Sequence, residues 1–139
     1  MFDLAGTRVL IVDDDPIARD LLGRILLDCK AEVMIAGSGP EALEMINASI
    51  PHVVLSDIGM PGQDGYQLLR EIRKLPAERG GTIPMIAVTA YARPEDRARS
   101  LACGFQAHVS KPIDSFELLE VIAATRATRP REERETVRT

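Results

Sequence analysis

The fold is decided by a short apolar stretch that delivers one carboxylate to a Gly/Pro-rich loop. The stretch reads His52-Val53-Val54-Leu55-Ser56-Asp57-Ile58-Gly59-Met60-Pro61-Gly62. An apolar run bounded by prolines on both sides predicts a buried strand, and Asp57 then stands where that strand leaves the core. Ligands of open parallel α/β sheets bind at this edge. Taken alone, Asp57 fits a turn residue before Pro61 equally well.

Similar apolar runs recur along the chain, and each is followed by a helical pattern. Besides the opening stretch, strands are predicted at 8–12, 31–36, 84–88 and within 105–110. Strands that alternate with helices in this way indicate an α/β fold, with a parallel sheet of five strands covered by helices on both faces.

Capping signals mark where the helices begin and end. Asp15 is predicted to cap the first helix, with Pro16 at its first position. Capping spacing also occurs at Ser38–Glu41 and Asp114–Glu117, Asp64 precedes the third helix, and Gly104 is predicted to end the fourth. The apolar stripe of the first helix is predicted to comprise Ile17, Leu21, Leu22, Ile25 and Leu26.

Length and charge narrow the class of protein. The 139 residues, 45% of them hydrophobic, suit one domain, predicted at 1–125 and followed by a polar Arg/Glu-rich tail at 126–139. Because the net charge is −4 and the basic residues are dispersed before that tail, we expect no direct nucleic-acid partner. No apolar run is long enough to cross a membrane. Cys29 and Cys103 lack metal-ligand spacing, which favours reduced thiols in a cytoplasmic protein.

Polar residues follow several of the predicted strands and are expected to converge. The strands of a parallel sheet end at one edge, so Asp13, Asp14, Asp57, Thr89 and Lys111 should meet there. Three neighbouring carboxylates favour a bound cation, and an all-oxygen site suits Mg²⁺ or Mn²⁺. With Lys111 and a metal to neutralise the transferring oxygens, Asp57 is predicted to attack phosphorus, giving an aspartyl phosphate.

The motifs occur in an order that resembles a response-regulator receiver domain. They are Val12-Asp13-Asp14-Asp15, Asp57-Ile58-Gly59-Met60-Pro61-Gly62-Gln63-Asp64-Gly65, Val88-Thr89-Ala90 and Ser110-Lys111-Pro112. The resemblance covers roughly residues 7 to 125 and is strongest to the receivers of hybrid sensor histidine kinases. It implies a flavodoxin-like (βα)5 fold with strand order 2-1-3-4-5.

The resemblance also implies a role for each site residue. Asp57 corresponds to the phosphoacceptor, and Mg²⁺ would be held by Asp13, Asp14, Asp57 and the backbone carbonyl of Gly59. Thr89 corresponds to the switch hydroxyl and Lys111 to the phosphoryl partner, with a cis bond before Pro112. His108 corresponds to the second switch residue, although a packing role in the core is about as plausible from sequence. Gly59 and Tyr91 differ from the residues that are commonest at their positions in the family. The resemblance therefore does not imply how long the aspartyl phosphate persists before hydrolysis.

The resemblance implies signalling and not metabolic catalysis. A histidine kinase or histidine phosphotransfer domain would supply the phosphoryl group, the chain would catalyse only its own phosphorylation and dephosphorylation, and phosphorylation-dependent self-association is allowed. No kinase segment is recognisable in this sequence.

Three alternative functions are weaker. A degenerate receiver could serve only as a docking module, although the charged site is intact. The Asp13-x-Asp15 pattern resembles the nucleophile motif of haloacid-dehalogenase-type phosphatases, but leaves Asp57 without a role. The spacing Gly37-x-Gly39-x-x-Ala42 matches a dinucleotide fingerprint, but it follows the second predicted strand and leaves the other motifs unused.

Overall fold

The computed structural model describes residues 2–59, 64–90 and 93–127, and the expectations for Tyr91, for Met60 to Gln63 and for the tail beyond 127 lie outside them. Strands and helices alternate as predicted. In chain order they are β1 (Arg8–Val12), α1 (Pro16–Asp28), β2 (Glu32–Ala36), α2 (Gly39–Ala48), β3 (Val53–Asp57), α3 (Gly65–Arg73), a 3₁₀ turn (Ala77–Arg79), β4 (Met85–Thr89), α4 (Pro94–Cys103), β5 (Ala107–Ser110) and α5 (Ser115–Ala127).

The five strands form one parallel sheet in the order β2-β1-β3-β4-β5, which confirms the predicted fold. The register determines which strand ends are neighbours. Val12 pairs with Ser56, Asp57 with Val88, and Thr89 with Ser110. The polar residues at or just beyond these strand ends therefore share one edge of the sheet.

The sheet separates two apolar clusters. Leu22 and Leu26 of α1 pack on one face together with Leu118 and Ile122 of α5. The opposite face is covered by α2 and α3, through residues that include Ile46, Leu68 and Ile72. All five side chains of β4 are buried, as expected for a parallel strand covered on both faces.

The predicted helix boundaries are largely confirmed. The Asp15 side chain accepts a hydrogen bond from the Ile17 N–H at 2.9 Å, and Pro16 begins α1. Asp64 and Gln67 form a reciprocal capping box at the start of α3, with both hydrogen bonds at 2.9 Å. Gly104 ends α4 with a φ of +118°, a conformation that favours glycine.

One local prediction is wrong, and one capping spacing is only partly realised. Ile17 and Leu21 are 79% and 48% exposed, because 3.6 residues per turn place them about 140° and 100° around the helix from buried Leu22. At α2, Ser38 accepts from the Glu41 N–H, but the Glu41 carboxylate accepts from the Gly37 N–H and not from the N-cap residue. The capping box is therefore incomplete.

None of the helices in the described ranges has the length and apolar character needed to cross a membrane.

We expect Gly65→Ala to lower the free energy of unfolding by about 1–3 kcal/mol, measured by urea denaturation. A Cβ at Gly65 would lie 2.7 Å from the Asp57 carbonyl oxygen and 2.8 Å from the Ile58 Cα, and both are backbone atoms. Gly23→Ala is the control, since its Cβ would meet only Val33, at 4.0 Å, and should stabilise α1 by roughly 0.5–1 kcal/mol. Equal effects of the two substitutions would contradict the close approach of α3 to β3.

Candidate phosphoacceptor site

Three aspartates at two neighbouring strand ends form an acidic site. Asp13 and Asp14 follow β1, and Asp57 is the last residue of β3. One carboxylate oxygen from each lies within 4.8 Å of the others. The side chain of Asp13 is only 1% exposed, that of Asp57 is 13% exposed, and Asp14 lies at the surface. The structure thus brings the three predicted carboxylates together.

Lys111 provides positive charge between two of these carboxylates. Its Nζ lies 3.1 Å from Asp13 Oδ2 and 3.9 Å from Asp57 Oδ2. Burial opposes the charged form of Lys111, but the hydrogen bond with Asp13 and the negative charges of Asp57, Asp13 and Asp15 outweigh it and raise the pKa. The lysine therefore remains an ammonium group. The peptide bond between Lys111 and Pro112 is cis, as the resemblance implied.

Asp57 is under opposing electrostatic influences. Burial is the largest and raises the pKa of the carboxyl group, while the Gly59 N–H, which donates to Oδ1 at 3.2 Å, and the Lys111 charge lower it. The charges of Asp13 and Asp14 raise it further, and the pKa lies above its ordinary value. The Gly59 N–H and the Lys111 charge therefore do not fully compensate the cost of ionising Asp57 in this environment.

Thr89 and Gly59 lie beside the acidic site. Thr89 is fully buried at the end of β4, and its carbonyl accepts the Lys111 N–H at 2.8 Å. Gly59 is exposed and contacts Asp57 through its N–H.

The donor set fits a small divalent cation. Oxygen ligands with a net negative charge suit Mg²⁺, which is commonly held by one or two carboxylates together with water. The pKa of Asp57 is raised mainly by burial and further by the charges of Asp13 and Asp14, and a bound cation would oppose both influences. Asp13, Asp14 and Asp57 are the residues that could hold the ion.

Asp13 is held by contacts that the sequence motifs do not identify. Its N–H donates to the Ala36 carbonyl at 3.1 Å, and its Oδ1 accepts the Asp15 N–H at 2.9 Å. Its own carbonyl accepts from Arg19 Nη1 at 3.0 Å. A Cβ at Gly37 would lie 2.8 Å from that nitrogen, so the glycine leaves room for the guanidinium.

His108 lies apart from the carboxylates, on the side of β5 that faces α4. It is 4% exposed, and its Nδ1 lies 3.1 Å from the Ser100 hydroxyl oxygen.

The output surface that the sequence suggests is exposed at all three of its residues, Arg97, Leu101 and Phe116. The Phe116 ring meets the Phe2 ring edge-on, with their centres 5.5 Å apart.

The turn at Gly37–Ala42 is explained by capping of α2. Its hydrogen bonds join Gly37 to Glu41 and Glu41 to Ser38, so the dinucleotide-like spacing needs no cofactor.

Cys29 is half-buried and packs against the core, whereas Cys103 is exposed. Neither cysteine is in a disulfide.

The fold and the site together define a class: a doubly wound α/β domain with an acidic cluster and a lysine at the carboxyl edge of its sheet. Residues 9–123 match the response regulator receiver domain model. The chain belongs to the response regulator receiver domain family and has the sequence of a receiver of a two-component system.

Similar proteins include small and large members of this family. An uncharacterised 14.6 kDa protein of Leptolyngbya boryana is 43% identical over 122 residues, which cover 88% of this chain and 92% of that protein. The sensor histidine kinase RcsC of Escherichia coli K12 is 39% identical over 117 residues, which cover 84% of this chain but 12% of the kinase. The chain therefore spans only a small part of such kinases.

Solved structures of the same fold include kinase receivers. A putative response regulator of Chloroflexus aurantiacus superposes with a TM-score of 0.81 and 30% identity, covering 87% of this chain and 98% of that one. A second structure is the receiver domain of a sensor histidine kinase of Pseudomonas aeruginosa, solved with a magnesium ion in its active site cleft. It superposes with a TM-score of 0.79 and 29% identity, covering 89% of this chain and 100% of that one.

We expect Asp57→Asn to increase the free energy of unfolding at neutral pH without divalent cations. Because the folded-state pKa of Asp57 is raised, the folded protein binds more protons than the unfolded chain between pH 3.8 and that raised pKa. The Asp57 contribution to stability therefore falls as pH rises through this window, and the gain from Asn reaches full size above it. Urea denaturation at several pH values measures the gain.

The matched control is Asp20→Asn, which removes an exposed carboxylate paired with Arg24 at 3.2 Å. It should show no gain. Added Mg²⁺ should stabilise the wild type more than Asp57→Asn and narrow the difference. A lower stability of Asp57→Asn than of the wild type at neutral pH would contradict the raised pKa of Asp57 in the folded protein.

We expect Arg19→Ala to weaken Mg²⁺ binding about 3- to 10-fold, because the backbone of Asp13 loses a charge-assisted hydrogen bond. The change of amide NMR shifts during a Mg²⁺ titration measures the affinity. Gly37→Ala should give a smaller loss by displacing the same guanidinium, and Arg24→Ala on the exposed side of α1 should give none. Unchanged affinity in Arg19→Ala would refute this role.

Proposed function

We propose that this receiver accepts a phosphoryl group from a phosphohistidine onto Asp57, with Mg²⁺ held by Asp13, Asp14 and Asp57. The observation that carries the proposal is the position of Lys111 Nζ, 3.1 Å from Asp13 and 3.9 Å from Asp57, beside three clustered carboxylates. This arrangement places the partly exposed Asp57 side chain next to a cation that can meet a phosphate oxygen.

In the transfer, an Asp57 carboxylate oxygen forms a bond to phosphorus as the phosphorus–nitrogen bond of the phosphohistidine breaks. The departing imidazole keeps the electron pair of that bond. Lys111 neutralises charge on a phosphoryl oxygen, which lowers the barrier by electrostatic stabilisation. A bound Mg²⁺ would supply further positive charge to the same oxygens, and the Gly59 carbonyl would complete its protein ligands.

After transfer, the Thr89 hydroxyl donates a hydrogen bond to the phosphoryl group. Thr89 is buried at the end of β4, so its movement changes the packing next to β5. His108 and the exposed residues Arg97, Leu101 and Phe116 then carry the change to the surface formed by α4, β5 and α5. That surface is the output, and self-association through it is one form the output can take.

The similarity to RcsC-type kinases supports a histidine kinase or histidine phosphotransfer domain as the donor. Such donors act in the cytoplasm, where we place this receiver. The chain's chemistry is confined to its own phosphorylation and the hydrolysis of its own aspartyl phosphate. We assign the receiver to residues 1–125 and treat 126–139 as a polar tail.

The decisive experiment is incubation with acetyl phosphate and Mg²⁺, followed by intact-protein mass spectrometry. We expect a mass gain of one phosphoryl group that is absent from Asp57→Asn and strongly reduced in Lys111→Met. Lys74→Met is the control, because Lys74 pairs with Glu71 on the exposed surface of α3.

Three outcomes separate the alternatives. No mass gain in the wild type, even with a phosphorylated donor protein, would indicate a docking module. Label on Asp13, or turnover of simple phosphomonoesters, would indicate an aspartyl-nucleophile phosphatase. Label on Asp57 alone would support the receiver mechanism.

A further inference from the structure

Helix α4 is attached to the rest of the molecule by few side chains. Of its ten residues, all within the described part of the chain, Ser100 alone is buried. Leu101 is 44% exposed, and the remaining conspicuous contact is that of Arg99, which lies 4.4 Å from the centre of the Tyr66 ring. Elements with little buried apolar surface are the ones that move most readily. The surroundings of Ser100 therefore have a large influence on where α4 lies.

The Ser100 hydroxyl makes two hydrogen bonds that together define the state of His108. Its oxygen lies 2.9 Å from the Arg97 carbonyl and 3.1 Å from His108 Nδ1. A hydroxyl has one proton, and the carbonyl can only accept. The Ser100 proton is therefore donated to Arg97, and the Ser100 oxygen accepts a proton carried by His108 Nδ1.

The other ring nitrogen favours the same neutral form. His108 Nε2 is buried and has no hydrogen-bond partner within the described residues. A second proton there would add a buried positive charge without an acceptor. Burial lowers the pKa of His108, and the nearby Arg97 lowers it further, against the opposite influence of Asp96 on α4 and Glu117 on α5. The neighbouring strand contributes uncharged Ala87.

We propose that the Ser100–His108 hydrogen bond fixes α4 against β5 and holds His108 inward as the neutral Nδ1–H tautomer, so that Ser100 is a positioning residue for the switch. The part that concerns the switch rests on the proposed function. His108 pairs with Ala87, two residues before Thr89 on β4, so the bond lies next to the segment that would move on phosphorylation. The Ser100–His108 hydrogen bond holds His108 inward before phosphorylation. If His108 is also inward in the phosphorylated state, this hydrogen bond raises the affinity of the protein for the phosphoryl group.

The hydrogen bond is tested on the unphosphorylated chain by long-range ¹H–¹⁵N correlation of the imidazole ring at neutral pH. The wild type should show the proton on Nδ1. Ser100→Ala should move it largely to Nε2, and Ser100→Thr, which keeps the hydroxyl, should restore it. Glu95→Gln is the control on the exposed side of α4. A wild-type imidazole protonated on Nε2, or unaffected by Ser100→Ala, would overturn the proposal.

The positioning role is tested by the affinity for beryllofluoride with Mg²⁺, followed through the NMR shifts of α4. We expect Ser100→Ala to bind it about 3- to 10-fold more weakly. In a His108→Phe background, the same substitution should have no further effect, because its partner is gone. Equal affinities of wild type and Ser100→Ala, or equal losses in both backgrounds, would overturn the role.

The two measurements separate an error in the proposed function from an error in the hydrogen-bond assignment. If wild type binds no beryllofluoride, the proposed function and the switch role are both wrong, while the tautomer result still decides the hydrogen bond. Thermal unfolding of each variant identifies any loss that reflects folding alone. Ser100→Thr and His108→Phe then provide folded comparisons.

Discussion

The structure depends on keeping three carboxylates together at one edge of a sheet. Like charges at this separation repel, and burial of Asp13 to 1% exposure removes the water that would otherwise screen them. Lys111 offsets part of the repulsion between the carboxylates, and hydrogen bonds to the backbone and side chain of Asp13 hold that residue in position. Asp13 is bound through its N–H, its carbonyl and both side-chain oxygens, by Ala36, Arg19, Asp15 and Lys111.

The elements that bind Asp13 come from several parts of the fold. Ala36 ends β2, Arg19 lies on α1, and Lys111 follows β5. One buried residue, through its backbone N–H and its carboxylate, thus connects both edge strands to the centre of the sheet. By contrast, α4 lies on the sheet through Ser100 and little else. The charged end of the molecule is held by several hydrogen bonds, whereas the position of α4 depends on the contacts of one buried side chain, that of Ser100.

The sequence predicted those features that depend on order along the chain. The convergence of Asp13, Asp14, Asp57, Lys111 and Thr89 follows because parallel strands end at a common edge. The strand order 2-1-3-4-5 was implied only by the resemblance to receiver domains, and the structure confirms it. Side-chain contacts between elements could not be predicted in the same way. Arg19 and Ser100 carry no motif, since their roles depend on how α1 and α4 are rotated against the sheet.

The apolar stripe of α1 shows a related difficulty. Ile17 and Leu21 have helical spacing with the buried residues, yet spacing does not say how wide the covered face is. Glu41 shows that capping spacing predicts a helix start more reliably than it predicts both hydrogen bonds of the box. For His108, sequence left packing and switching equally open, and the structure supplies the burial and the Ser100 contact.

The contact between Lys111 and Asp13 also bears on how the domain folds. The two residues are 98 positions apart in the chain, so this contact closes a loop that includes most of the protein. Closing so long a loop costs entropy that is recovered only after the intervening strands have paired. The Lys111–Asp13 contact therefore depends on more of the completed fold than the approach of Asp57 to Asp13, which needs only the pairing of β1 with β3. A cation held by the three carboxylates would reduce their repulsion with β1 and β3 alone in place, without the charge of Lys111.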